Sequence, residues 1–316
     1  MISRRLLRIK ILQILYAYFI NQDKTIAKTE KELFFSIDKT FELYNYLLLL
    51  LIDLVNYAEN KITIGKEKMI PTFENLNPNT KFVNNKLARQ IIENDELNRF
   101  VERTNISWNN HPEIIKNIYL ALIESPFFKK YLANTEDSYK IDKDLIIKIY
   151  KVIISNSEEL YDAIEDMSIY WNDDIEFILD MVIKTFKNYK EENDSNYHLF
   201  DLYKDDEDIN FTKNLFRKTI LHHDENKELI DRYAKNWNIE RIASIDTLIM
   251  ELAIVEITEF SSVPINVSFN EYLEISKFYS TDKSSTFING ILDNIIKSLQ
   301  KDDKIKKIGR GLTEGK

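Results

Sequence analysis

The sequence predicts an all-α protein, and three observations carry that prediction. Only five glycines occur in 316 residues, and none lies between Gly65 and Gly290. No proline lies between Pro126 and Pro264. Strands need turns, and turns favour Gly and Pro, so long stretches without either point to helices. Apolar residues also recur at three- and four-residue spacing over most of the chain.

Taken in order, the pattern places helices over about 3–20, 30–60, 81–104, 112–132, 142–167, 172–189, 207–221, 224–236, 240–259, 266–279 and 284–300. Ser3 is placed to cap the first. Residues 145–154 (LIIKIYKVII) are β-branched enough to suit a strand, but their neighbours lack hairpin signals, which keeps them helical. Val263-Pro264 stops one helix and launches another. Asn270-Glu271 opens a run in which Tyr272, Ile275 and Phe278 recur at helical spacing. Ser284 is the expected cap of the last helix, and Gly290 inside it implies close packing, since glycine there costs about 1 kcal/mol against alanine.

Two polar stretches read as joints: 59–81, with Gly65, Pro71 and Pro78, and 190–208, whose five acids in 201–208 suit a solvated connector. An internal repeat emerges at an offset of 66 residues, about 143–184 against 209–250. Trp171-Asn172 matches Trp237-Asn238, and Asp180 matches Asp246. The expected organisation is therefore 1–60 N-terminal helices, 61–206 a helical insertion holding the repeat-like unit, 207–300 a C-terminal helical unit, and 301–316 a disordered tail.

Apolar residues make up 44% and charged residues 30%, the balance of a globular chain. No cysteine is present, which excludes disulfides and thiolate chemistry. The apolar run from Leu47 is interrupted at Asp53 and is far short of the ~20 residues that cross a bilayer. Lys10 and Gln13 break the apolar run after the first arginines, so no signal peptide is expected and the chain reads as cytoplasmic.

Net charge is −9, which opposes phosphate, yet residues 1–22 hold Arg4, Arg5, Arg8 and Lys10 and no acid, leaving −13 for the remainder. At ~100° per residue the three arginines share one arc of about 100°. Cations in a first turn oppose the helix dipole, so local stability does not select them. Their planar forks suit phosphate, and Tyr16 is placed to stack on an unpaired base. The bland alternative is a solvated basic helix start.

RRLLRIKILQILYAY at the N-terminus, NWNIERIASIDTLIMELAIVEI (236–257), VPINVSFNEYLEISKFYS (263–280) and STFINGILDNI (285–295) together resemble the NusB family. The resemblance covers about 1–60 and 207–300 and implies a helical bundle of NusB type, with the repeat-bearing segment inserted. It implies a transcription antitermination factor that binds boxA-type single-stranded RNA of ribosomal RNA leaders. Its companions would be the small-subunit ribosomal protein NusE and the RNA polymerase elongation complex with other Nus factors. RNA contact carries onto Arg4, Arg5, Arg8, Tyr16 and Phe287. Lys283, where family members often carry an acid, would add a phosphate contact. Contact with the basic partner protein carries onto Glu240 and Asp246, with helix capping as the structural alternative.

No catalytic site emerges. His222 and His223 are adjacent on a helix, do not share a face and read as solvated surface, so no metal or cofactor is expected. Trp108, Trp171 and Trp237 read as core anchors. NusB-like domains also precede certain ribosomal RNA cytosine methyltransferases, but the Gly-rich loop and cysteines of such enzymes are missing. The remaining rival is a helical scaffold in ribosomal RNA maturation without RNA binding of its own.

Overall fold

The computed structural model describes residues 3–21, 25–234 and 243–312, and among these it is helical throughout, with no strand. In chain order the helices are α1 (Arg4–Ile20), α2 (Ile26–Lys66), α3 (Phe73–Leu76), α4 (Lys86–Ile92), α5 (Asp95–Thr104), α6 (Pro112–Glu124), α7 (Pro126–Ala133) and α8 (Tyr139–Val152). There follow α9 (Glu158–Met167), α10 (Ile175–Asn188), α11 (Asp206–Leu221), α12 (His223–Ala234), α13 (Ser244–Glu259), α14 (Ile265–Tyr279) and α15 (Asp282–Lys301).

Three expected helices are broken, each by a local device. Asn94 caps α5 through the Leu97 amide, splitting 81–104. Ser125 caps α7 ahead of Pro126, splitting 112–132. A single 3-10 turn at Ile154–Asn156 divides 142–167. The β-branched run is helical, as expected, through Val152. The acids before α11 do more than solvate a connector: Asp205 caps the helix, and Asp208 in its first turn is buried. α14 starts at Ile265 behind Pro264, ahead of Asn270-Glu271. α15 starts behind Thr281, so Ser284 lies in its first turn rather than at its cap.

The chain forms two compact units, one of residues 1–37 and 203–316, the other of 38–202. The expected joint at 59–81 is not where they part; the division falls at Ile37–Asp38, inside α2. The reason lies in the apolar run 43–58, which belongs to the core of the second unit. Charge divides with them. The first unit carries 24 bases against 23 acids, a net +1, and the second 19 against 29, a net −10.

In the first unit α13 is the hub, buried from Leu248 to Ile257 and packed on α1, α11, α12, α14 and α15. A helix buried on every side, with only Glu251 and Glu256 interrupting the apolar run from Leu248 to Ile257, belongs at the centre of a bundle. Residues 304–312 are not the disordered tail expected. The Ile308 amide donates to Ser261 O at 3.0 Å, and Lys307 Nζ donates to Phe260 O at 2.9 Å. Gly311 passes so close to the chain that a Cβ there would stand 1.9 Å from Ser261 O. Gly290, expected at a close helix contact, faces open space instead.

In the second unit α8 packs on α4, α7 and α10. Trp108 and Trp171 are core anchors, as expected: their indole N–H groups donate to Tyr46 O at 3.0 Å and Lys39 O at 2.7 Å. Trp237 lies outside the described residues.

The 66-residue offset brings helix positions in the two segments into line. The offset carries α8, α9 and α10 onto α11, α12 and α13. Burial follows it: Asp142 with Asp208, Ile146 with Thr212, Tyr150 with Phe216, Ile164 with Ile230, and Phe186 with Leu252 are buried pair by pair. The aspartates that helped reveal it do not correspond in environment, since Asp180 is exposed and Asp246 buried. Among the described residues no helix is long and apolar enough to cross a membrane, and no cluster of acids and histidines is arranged to hold a metal ion.

Candidate nucleic-acid interface

α1 begins where Ser3 accepts the Leu6 amide at 3.2 Å, and the helix has no acid of its own. Its arginines meet carboxylates from the far end of the chain. Arg4 Nε donates to Asp208 Oδ1 at 2.9 Å, with Glu207 at 3.6 Å, and its guanidinium stands 5.2 Å from the Phe211 ring centre. Arg5 makes a two-pronged pair with Glu271, at 2.8 and 2.7 Å, that raises its already high pKa.

Arg8 is different in kind. Its side chain is 3% exposed and grips Glu256, itself fully buried, at 2.7 and 2.6 Å. Ser268 and Tyr272 donate to the same carboxylate at 2.7 and 2.9 Å. Burial works against the Arg8 charge, but the hydrogen bonds and charge of Glu256 outweigh it and hold the guanidinium above its ordinary pKa. A side chain so enclosed offers nothing to an RNA, so the expected role of Arg8 is corrected to a structural one.

Arg4 and Arg5 remain 35% and 45% exposed, enough to reach solvent while their carboxylates orient them. Tyr16 is half-buried on the same helix. Phe287 on α15 is 9% exposed, so its ring serves the core and does not offer a face to a base. The Lys283 side chain lies outside what the structure describes. Glu240 also lies outside the described residues. Asp246 is 2% exposed in the first turn of α13, so it presents no carboxylate to a partner; its Oδ1 finds no hydrogen-bond partner among the described residues.

Sequence reasoning missed the carboxylates that hold the arginines. Two of them are charges at awkward positions, Glu256 inside the apolar run ELAIVEI and Glu271 at the head of YLEI, and the third, Asp208, closes the acid run 201–208 that read as a solvated connector. It also misplaced His223. Instead of solvated surface, His223 hydrogen-bonds buried Glu251 at 2.8 Å and stacks on Phe19 at 4.1 Å.

The sequence profile of the NusB family matches residues 175–297. A transcription antitermination protein NusB from Natranaerobius thermophilus is 38% identical over 100 residues, 30% of this chain and 72% of that protein. The chain belongs to the NusB family. The NusB of Salinibacter ruber is 43% identical over 102 residues, 32% of this chain and 64% of that protein. That of Chloroherpeton thalassium is 46% identical over 85 residues, 27% of this chain and 40% of that protein. The chain thus spans less than two thirds of two of these three NusB relatives. No solved structure matches it.

Proposed function

We propose that this chain acts in transcription antitermination, the role its relatives' name gives them, and that it does so as a cytoplasmic, non-enzymatic factor. In this reading it binds boxA-type single-stranded RNA of ribosomal RNA leaders along α1. It does so together with the ribosomal protein NusE, in the elongation complex of RNA polymerase with other Nus factors. One observation carries the reading: Arg4 and Arg5 reach solvent from an acid-free helix, each with its guanidinium already oriented. Oriented arginine forks are suited to phosphate oxygens. The near-neutral charge of their own unit supports it too, because the acid excess resides in the other.

The test is a salt titration of binding to boxA-type RNA, with and without NusE, comparing the wild type with R5A. Removing one arginine–phosphate pairing on single-stranded RNA makes the logarithmic salt slope shallower by about 0.7. A flat salt response in the wild type, unmoved by NusE, sinks the reading. One observation favours a second reading, a helical scaffold without RNA binding of its own: all three arginines already hold carboxylates. On that reading the wild type shows no salt-dependent binding of boxA-type RNA, and the double variant R4A/R5A does not differ from it.

A further inference from the structure

The sequence pattern places Phe278 on the core side of α14 with Tyr272 and Ile275. Those two are buried, yet the Phe278 ring is 80% exposed. A single exposed apolar side chain is ordinary on a protein surface. Its position is what sets this one apart.

α14 runs beside α1 in the same direction and in step. Arg5 meets Glu271, and eight residues further along both helices Gln13 Nε2 donates to the Tyr279 hydroxyl at 3.1 Å. Phe278 follows Glu271 by seven residues, which puts it about 20° round the helix from Glu271 and roughly 10 Å further along. On α1, Tyr16 stands about 20° round from Arg5 and roughly 16 Å along. The Phe278 ring therefore lies on the Arg5 flank, at a level between Arg5 and Tyr16. Lys277 beside it is occupied, pairing with Glu274 at 2.5 Å. Cation first, bare aromatic ring next, half-buried tyrosine beyond: this is the order of groups that binds a single strand, phosphate on guanidinium and bases on rings.

We propose that Phe278 is a stacking platform for one unpaired base of the bound RNA, an inference that rests on the RNA-binding reading above. The ring recognises the flat face of a base and not its edge, so it tolerates any base at that position. It touches no phosphate, so its contribution is independent of salt.

The experiment uses the full chain, an end-labelled boxA-type RNA and fluorescence anisotropy at several salt concentrations. F278A is expected to weaken binding about fivefold to a hundredfold with an unchanged salt slope, whereas F278W restores it. Thermal unfolding of F278A matches the wild type, because the ring packs on little. If the wild type binds RNA in a salt-dependent way and F278A binds equally well, the platform does not exist and the RNA reading stands. The same holds if F278A leaves RNA binding intact and weakens only NusE binding, which makes the ring a protein contact. If the wild type binds no RNA at any salt, the reading and the platform fall together.

Discussion

Arg8 donates from Nε and Nη2 to the two carboxylate oxygens of Glu256, and the pair is closed off from water. These residues stand 248 apart in the chain. The pair joins the opening helix to the hub of the bundle, and Ser268 and Tyr272 complete the hydrogen bonding of the carboxylate. A buried charge pair is weak evidence of net stabilisation, but removing one member strands the other in a dry site.

R8A is therefore expected to cost about 3–5 kcal/mol of stability. Replacing both, as R8M/E256M, is expected to cost less than R8A alone. Denaturant titration of the two variants checks this; equal or reversed losses would contradict the structural role of Arg8.

R5A has the opposite signature. The Arg5–Glu271 pair is half-exposed, and such pairs contribute about 0–1 kcal/mol. The Tm of R5A is expected to stay near that of the wild type while its RNA affinity falls, most steeply at low salt. Differential scanning calorimetry alongside the binding titration separates the two effects. A large drop in Tm would place Arg5 in the same class as Arg8.

Burial pushes the Glu251 carboxyl up to about 7, against the hydrogen bond and charge of His223 and the charge of Lys227. Its folded-state pKa thus exceeds its unfolded value of about 4.3. The folded state then holds the proton more tightly, so this stability is present below the unfolded pKa and is lost as pH rises through the folded one. The loss between those limits is on the order of 3 kcal/mol. E251Q removes the titration, so unfolding measured from acid to neutral pH should show its stability advantage over the wild type growing as pH rises. An offset constant with pH would refute the assignment.

G311A tests how the C-terminal segment is held. A methyl group at that position meets Ser261 O, so the segment must lift and give up its bonds to Phe260 and Ser261. Amide exchange at Ile308 should accelerate. Burial holds the Lys307 amino group down at about 8, and that pKa should rise toward its ordinary value. Global stability should change little, because the segment is peripheral to α13. Unchanged exchange at Ile308 would show that the segment does not depend on Gly311.

The sequence alone determined the all-α class and where most of the helical stretches run, because both are written in spacing. Apolar period, missing Gly and Pro, and cap residues are local properties, and local physics resolves them. It also marked α1 as the basic, acid-free helix. Spacing put Arg4, Arg5 and Arg8 on one arc of that helix but left open which of them a later segment would cover.

Only the tertiary structure decided that. Glu256 arrives from the hub helix to enclose Arg8, while Glu271 reaches Arg5 at the rim, where water remains. The same cause exchanged the two phenylalanines. Phe278 shares the helical stripe of Ile275 and is bare, and Phe287 is enclosed. It turned Asp246 inward while leaving Asp180 outside. A helix's own period fixes the directions in which its side chains point. Whether another helix stands in a given direction depends on residues more than two hundred positions apart in the chain, and no local pattern encodes their meeting.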